Sequence, residues 1–270
     1  MIVSAIQVNS GDNIKQNWNT ASKLVRQAAE SGAKFVALPE NFLYIGQDNS
    51  IEFDVYGEWK EKLSSLASDS GIYLVAGTVR EKTDVKSKFY NTCLFFGPNG
   101  DLLSVYRKIH LFDVSLPDGN EYSESSYTLE GENEAIARTP FGTVGFAICY
   151  DLRFPELFRC LTIDHGVSII VLPSEFTALT GPDHWLPLIR ARAIENQVFF
   201  IAPNQFGAKF GKRIGYGHSV IVDPWGTVIS EAENEESIIY AELDINLLNQ
   251  VRQSLPCLDH ARFHKKIKKR

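Results

Sequence analysis

The strongest constraint on how this chain can fold is that it repeats itself. In the first half, Val3-Ser4-Ala5-Ile6-Gln7-Val8 alternates as a strand does, and Asn17 to Glu30 carries Trp18, Ala21, Leu24, Val25 and Ala28 at helical spacing, with Gly32 as the stop. Phe35-Val36-Ala37-Leu38 reads as a buried strand ending at Pro39-Glu40, Trp59 to Ser68 as a second helix stopped by Gly71, and Ile72 to Ala76 as a third strand. Tyr90 to Phe96 and Leu102 to Tyr106 then make a hairpin about Gly97-Pro98-Asn99-Gly100.

The same order returns in the second half. Ala5-Ile6-Gln7-Val8 resembles Ala147-Ile148-Cys149-Tyr150 at an offset of 142 residues, and Gly32 to Pro39 resembles Gly166 to Pro173 at 134. Ala76 matches Ala202, Tyr90 matches Tyr216, and the hairpin turn matches Asp223-Pro224-Trp225-Gly226, all at 126. A duplicated unit of strand, helix, strand, helix, strand and hairpin predicts two mixed sheets face to face with helices over each outer face. The expected fold is therefore α/β, a four-layer α-β-β-α sandwich with an internal pseudo-two-fold.

Composition supports one domain over residues 1–270, because 44% of residues are hydrophobic and the 11 prolines are scattered, so no stretch reads as a linker. The net charge of −6 argues against a polyanion binder; the five basic residues of Lys265 to Arg270 read as a solvated end of a basic tail from about residue 260. No apolar run is long enough to span a bilayer, and the chain opens directly on a strand-like Met1-Ile2-Val3-Ser4. A cytoplasmic protein with no nucleic-acid or membrane partner is expected. Cys93, Cys149, Cys160 and Cys257 show no paired spacing, and Cys257-x2-His260-x3-His264 lacks a fourth ligand, so neither disulfides nor a metal is expected.

In open α/β sheets ligands gather beyond the carboxyl ends of strands. Two residues capable of chemistry stand at such ends, Glu40 and, in Thr143 to Glu156 (TVGFAICYDLRFPE), Cys149. Cys149 is either a buried core thiol or a nucleophile whose thiolate is favoured by the unpaired N–H groups of a helix opening just beyond it. Glu40 is a helix lid or a functional acid, Lys108 taken alone is a surface lysine, and Glu124 taken alone is a solvated loop residue. His110, His184 and His218 have no sequence context that singles them out.

Together, however, Leu38 to Phe42 (LPENF), Tyr106 to Asp113 (YRKIHLFD) and Gly145 to Glu156 (GFAICYDLRFPE) resemble the nitrilase superfamily of carbon-nitrogen hydrolases. That resemblance covers nearly the whole chain. It implies a catalytic set of Glu40, Lys108 and Cys149 with Glu124 behind the lysine, an oxyanion donor at the Tyr150 N–H, no metal or organic cofactor, and a homodimer or higher homo-oligomer. The implied activity is hydrolysis of an amide C–N bond to a carboxylate and ammonia through a cysteine thioester.

Thr180 to Trp185, Arg190 to Gln197, Tyr216 to Ser219 and Val222 to Thr227 look like the branch containing deaminated glutathione amidase and omega-amidase. This implies a small acidic amide as substrate, Arg153 as its carboxylate partner, and Phe176 and Thr180 on the pocket wall. A basic residue in the first turn of a helix opposes the dipole, so Arg153 needs a partner, either a substrate carboxylate or Asp151, Glu156 or Glu175. Two features depart from the branch: Glu175 stands where a small residue is more usual, and Leu186-Pro187 where a glutamate is often found. Pro187 predicts that the helix there starts near it. An extra charge at Glu175 keeps N-carbamoyl compounds, neutral amides and nitriles open as substrates, and a non-catalytic scaffold of the same fold is the remaining alternative.

Overall fold

The apolar periods of the sequence become regular elements in the computed structural model, which describes residues 1–263. The first unit runs β1 (Ile2–Gln7), α1 (Ile14–Glu30), β2 (Phe35–Ala37), α2 (Glu58–Ser70), β3 (Tyr73–Lys82), β4 (Phe89–Phe96) and β5 (Leu102–Arg107). A connecting segment carries β6 (Asp113–Ser115), β7 (Glu121–Ser123), a 3-10 turn (Glu124–Ser126) and β8 (Thr128–Leu129). The second unit gains an edge strand, β9 (Ile136–Thr139), before β10 (Gly142–Phe146), a 3-10 turn (Cys149–Arg153), α3 (Pro155–His165), β11 (Ile169–Val171) and α4 (Gly181–Asn196). It continues through β12 (Phe199–Ala202), β13 (Phe206–Ala208), β14 (Ile214–Tyr216), β15 (Val220–Val222) and β16 (Val228–Glu231), after which come β17 (Ser237–Glu242), α5 (Ile245–Ser254) and α6 (Cys257–His260).

The two sheets repeat one another strand for strand. One has the order β17-β1-β2-β3-β4-β5, with β8 added beside β4; the other has β16-β15-β12-β11-β10-β9. In each, three central strands are parallel and the flanking ones antiparallel. Inner-face residues such as Val3, Ala5, Phe35 and Val75 meet the second sheet, and the Phe95 ring lies 5.4 Å from that of Phe146 across the gap. Outside, α1 and α2 lay Leu24, Val25, Leu63 and Leu66 on Ile6, Val36 and Leu74, while Phe158 of α3 meets Phe200 at 5.6 Å. Each such fully buried side chain contributes roughly 1.5–3 kcal/mol. The expected α-β-β-α layering is realised.

Four local expectations change. The ladders pair Val3 with Phe35 and Val144 with Ile169, so the true offset at β1 and β10 is 141; Cys149 corresponds to Val8, not Gln7. A one-residue slip matters because it exchanges the faces of a strand. The helix of Leu186-Pro187 begins at Gly181, with Pro187 inside it. The hydrogen bond lost there would have run to Asp183, and both residues are exposed, so water can serve that carbonyl. The third strand extends to Lys82 through a bulge at Gly77, and α1 starts at Ile14 because the Asn13 side chain caps it.

Candidate active site

Glu40 is placed by the chain just beyond β2. Gly77, at φ +23, lets the β3 bulge close against it: a Cβ there would lie 2.0 Å from the Pro39 carbonyl oxygen. The Thr78 hydroxyl then accepts the Asn41 N–H at 2.8 Å, fixing Glu40 between the two anchors. Lys108 leaves the end of β5 with its N–H on the Asn91 carbonyl, and Glu124 opens the 3-10 turn after β7. Cys149 opens the turn after β10 at φ 43, a left-handed conformation that side-chain-bearing residues seldom adopt. Its own N–H is held by the Pro173 carbonyl at 3.0 Å.

These four side chains, drawn from distant parts of the chain, line one pocket with Tyr150, Arg153, Phe176 and Thr180. Lys108 Nζ lies 3.1 Å from Glu40 Oε1 and 2.9 Å from Glu124 Oε2. Burial works against the ammonium, but Glu124 and Glu40 outweigh it and hold its pKa well above the ordinary lysine value. Glu40 Oε2 accepts the Glu175 N–H at 2.8 Å, and Glu124 Oε2 accepts the Phe112 N–H at 2.7 Å. An ammonium has three donors. All its contacts here are carboxylate oxygens, Glu40 Oε1 and both oxygens of Glu124.

The expectation that helix N–H groups favour a thiolate is corrected. Burial, reinforced by the Glu40 charge, pushes the Cys149 thiol well above its ordinary range, against the pull of Lys108 and the Glu175 N–H. α3 starts only at Pro155, after the short turn. Arg153 likewise closes that turn instead of opening a helix, so the dipole gives no reason for a missing partner. Its guanidinium lies 5.3 Å from the Phe176 ring centre, 5.9 Å from that of Tyr150 and 3.2 Å from His184 Nδ1. Among the described residues no carboxylate reaches it within ion-pair distance. Phe176 packs on Trp185 at 5.0 Å, and the Thr180 hydroxyl is 2.9 Å from that of Thr177.

Glu175, expected as a surplus negative charge, is paired: Arg213 reaches its Oε2 at 2.7 Å. Burial still raises the Glu175 pKa. His110 also acquires a context, with Nδ1 2.7 Å from Asp151 Oδ1 and its ring stacked on Phe154 at 3.7 Å. The other Asp151 oxygen accepts the Tyr106 hydroxyl and the Ile148 N–H, so this acid ties the nucleophile turn to β5. Asn91 donates to Glu40 Oε1 at 2.8 Å and to Glu124 Oε1 at 3.3 Å. Sequence reading missed Asn91, Asp151, Arg80 and Arg213; the available signals were an Asn and an Arg in buried strands, where both are costly, and an acid beside a cysteine in an apolar run. Of the metal-like pattern, Cys257 is exposed and His264 lies outside the described residues.

The pocket thus gathers a thiol, two carboxylates and an ammonium in an α-β-β-α sandwich. Residues 2–253 match the family described as carbon-nitrogen hydrolase, and the chain belongs to that family, within the nitrilase superfamily. It is 38% identical to deaminated glutathione amidase of Synechocystis sp. over 97% of this chain and 98% of that one. It is 41% identical to omega-amidase NIT2 of Xenopus tropicalis over 89% of this chain and 87% of that one. Its fold matches the NitFhit protein of C. elegans with a TM-score of 0.90 and 34% identity over 97% of this chain, which spans 65% of that protein. No helix among the described residues is long and apolar enough to cross a membrane.

Proposed function

We propose that this carbon-nitrogen hydrolase is a thiol amidase for a small acidic amide, with Cys149 as nucleophile. The observation that carries the reading is a buried ammonium held between Glu40 and Glu124 in the pocket of a strained cysteine. Because burial keeps the thiol protonated, it needs a base as it attacks. Glu40 takes the Sγ proton while the S–C bond forms. Lys108 and the Tyr150 N–H, at a turn position without an intrahelical acceptor, receive the oxyanion. Glu40 passes the proton to nitrogen, the C–N bond breaks and the amine leaves. Water then gives Glu40 a proton and its oxygen attacks the thioester carbon; the C–S bond breaks and sulfur regains the proton. Glu124 anchors Lys108 throughout.

The acidic substrate rests on Arg153, a cation at the pocket wall without a carboxylate of its own, which suits a bidentate carboxylate, with Phe176 and Thr180 beside it. The names of the amidase relatives agree. A homo-oligomer belongs to the same reading, supported by exposed Ile194 and Trp225 and read by light scattering. The substrate test compares 2-oxoglutaramate, deaminated glutathione, an N-carbamoyl amino acid, a neutral amide and a nitrile. Acidic amides should lead, and Arg153→Lys should lower their kcat/KM by about 2–4 kcal/mol while sparing short neutral amides. Equal losses on both, or wild-type preference for the neutral ones, would end the acidic assignment.

A further inference from the structure

Away from the pocket, one group of side chains brings together three kinds of donor atom. Cys160 and His165 stand on α3, and Glu134 on the loop that leads from β8 into β9. Glu134 Oε1 lies 3.0 Å from His165 Nε2 and 3.8 Å from Cys160 Sγ, and the three ligand atoms all fall within 4.8 Å of one another. Asp164 brings a second carboxylate oxygen to 3.3 Å from the same sulfur. Among the described residues no other three His, Cys, Asp or Glu side chains gather their ligand atoms this closely. None of these residues lines the catalytic pocket.

Each member has an ordinary explanation except the cysteine. His165, in the last turn, suits the negative end of the helix, and its pairing with Glu134 is a partly exposed contact of the kind that contributes little. A thiol, however, belongs to the residue types most often buried, and Cys160 is only half-buried and faces two carboxylates. S–H is a weak donor, so a serine hydroxyl would serve those oxygens better. What sulfur adds is affinity for a soft or borderline cation. Thiolate, imidazole and carboxylate together are the ligand set of Zn2+, whereas Mg2+ and Ca2+ take oxygen. Tetrahedral bonds of about 2.0–2.3 Å put neighbouring ligand atoms about 3.3–3.6 Å apart, so the observed spacings of 3.0 and 3.8 Å bracket the required one. The carboxylates and the end of α3 already supply a negative field.

We propose that Glu134, Cys160 and His165 form a Zn2+ site, with water in the fourth position and Asp164 beside the sulfur. Binding exchanges the thiol proton for a metal–sulfur bond; the proton goes to solvent, and nothing is oxidised. The ion fastens the segment that joins the two units to the helix that follows the nucleophile turn. Its effect is on stability, because it binds the folded arrangement of groups that the unfolded chain does not hold together. Residue spacing conceals the site, since Glu134 precedes Cys160 by 26 residues and only packing makes them neighbours.

The test titrates the full chain, stripped of metal by a chelator, with Zn2+ against a chromophoric chelator and with Co2+, whose bond to a thiolate absorbs in the near ultraviolet. The tightest-bound ion should show that band with Co2+ and raise Tm with Zn2+; Mg2+ and Ca2+ should do neither. Cys160→Ser should abolish the band. Cys160→Ser and His165→Gln should each lower Zn2+ affinity by more than the roughly ten- to a hundredfold that loss of an outer partner costs, whereas Cys149→Ala and Cys257→Ala should keep the wild-type affinity. A wild type without the band, or a band that survives Cys160→Ser, overturns the site. Loss of binding in Cys149→Ala or Cys257→Ala instead places the ion in the catalytic pocket or on the C-terminal tail and overturns it as well. Should Cys160→Ser fail to fold, His165→Gln decides.

Discussion

The duplicated scaffold presents two equivalent strand-end positions, and they have opposite chemistry. Beyond β2 and β10 stand Glu40 and Cys149; their counterparts beyond β11 and β1 are Ser174 and Val8. Around the counterparts lies a neutral network. Gln7 Oε1 accepts from the Ser219 N–H and hydroxyl, Asn204 N–H donates to that hydroxyl, and Gln205 Nε2 reaches Ser10 and the Glu40 carbonyl. No side-chain atom of these residues is left buried without a partner, whereas the charged end leaves four. A finished network stabilises, whereas unpaired buried polar atoms cost stability. The same backbone can serve either purpose, and the side chains at the strand ends decide which.

Substitutions that convert one end toward the other should separate activity from stability. Cys149→Ala brings the charged end closest to its counterpart and should abolish turnover in a folded protein, while Cys93→Ala and Cys160→Ala retain it. A slow substrate should add an acyl mass only to the wild-type peptide containing Cys149. Next, Lys108→Met should lower kcat by about two to three orders of magnitude, the scale of a lost oxyanion donor. It also leaves Glu40 and Glu124, both bonded by Asn91, without their cation.

At the neutral end the effect should be on stability. Gln7→Leu strips partners from Ser219 and from the Glu233 and Glu235 carbonyls, and should cost about 3 kcal/mol by chemical denaturation with kcat kept in the folded fraction. The smallest effect concerns Lys209, which joins the two ends: its Nζ meets Asn9 and Gln205, and it feels Glu175. Burial lowers its pKa to about 8, so between there and the unfolded value near 10.5 the folded chain binds fewer protons, and this group's contribution to stability rises with pH. The stability difference between wild type and Lys209→Met should grow by about 1–2 kcal/mol from pH 7.5 to 10. A flat difference would return Lys209 to an ordinary solvated lysine.

The layers could be read from apolar period and repetition, which are properties of the chain itself, whereas the gathering of Glu40, Lys108, Glu124 and Cys149 was implied only by the resemblance of LPENF, YRKIHLFD and GFAICYDLRFPE to a known family. What could not be read was register and pairing. Ala5 looks like Ala147, yet the ladder sets it beside the position of Phe146, since strand alignment depends on neighbours and not on likeness. Glu175 looked like a surplus charge because its partner Arg213 is 38 residues away on a hairpin of its own. Asn91 and Asp151 hold the site from behind, and only packing reveals which polar residue stands behind which.

The edge strands set the order in which the molecule can be completed. β9 precedes β10 directly, so the second sheet has its edge as soon as that stretch of chain exists. The first sheet obtains its edge from β17, the last strand among the described residues, with Ile2 against Glu242 and Leu243 bonded to Met1. A growing chain that has not yet reached Ser237 therefore exposes β1 as an open template to neighbouring chains, and β1 is closed only once β17 exists. The half carrying Glu40 and Lys108 is thus sealed by a strand contributed from beyond the second unit, and the half carrying Cys149 by one that adjoins it.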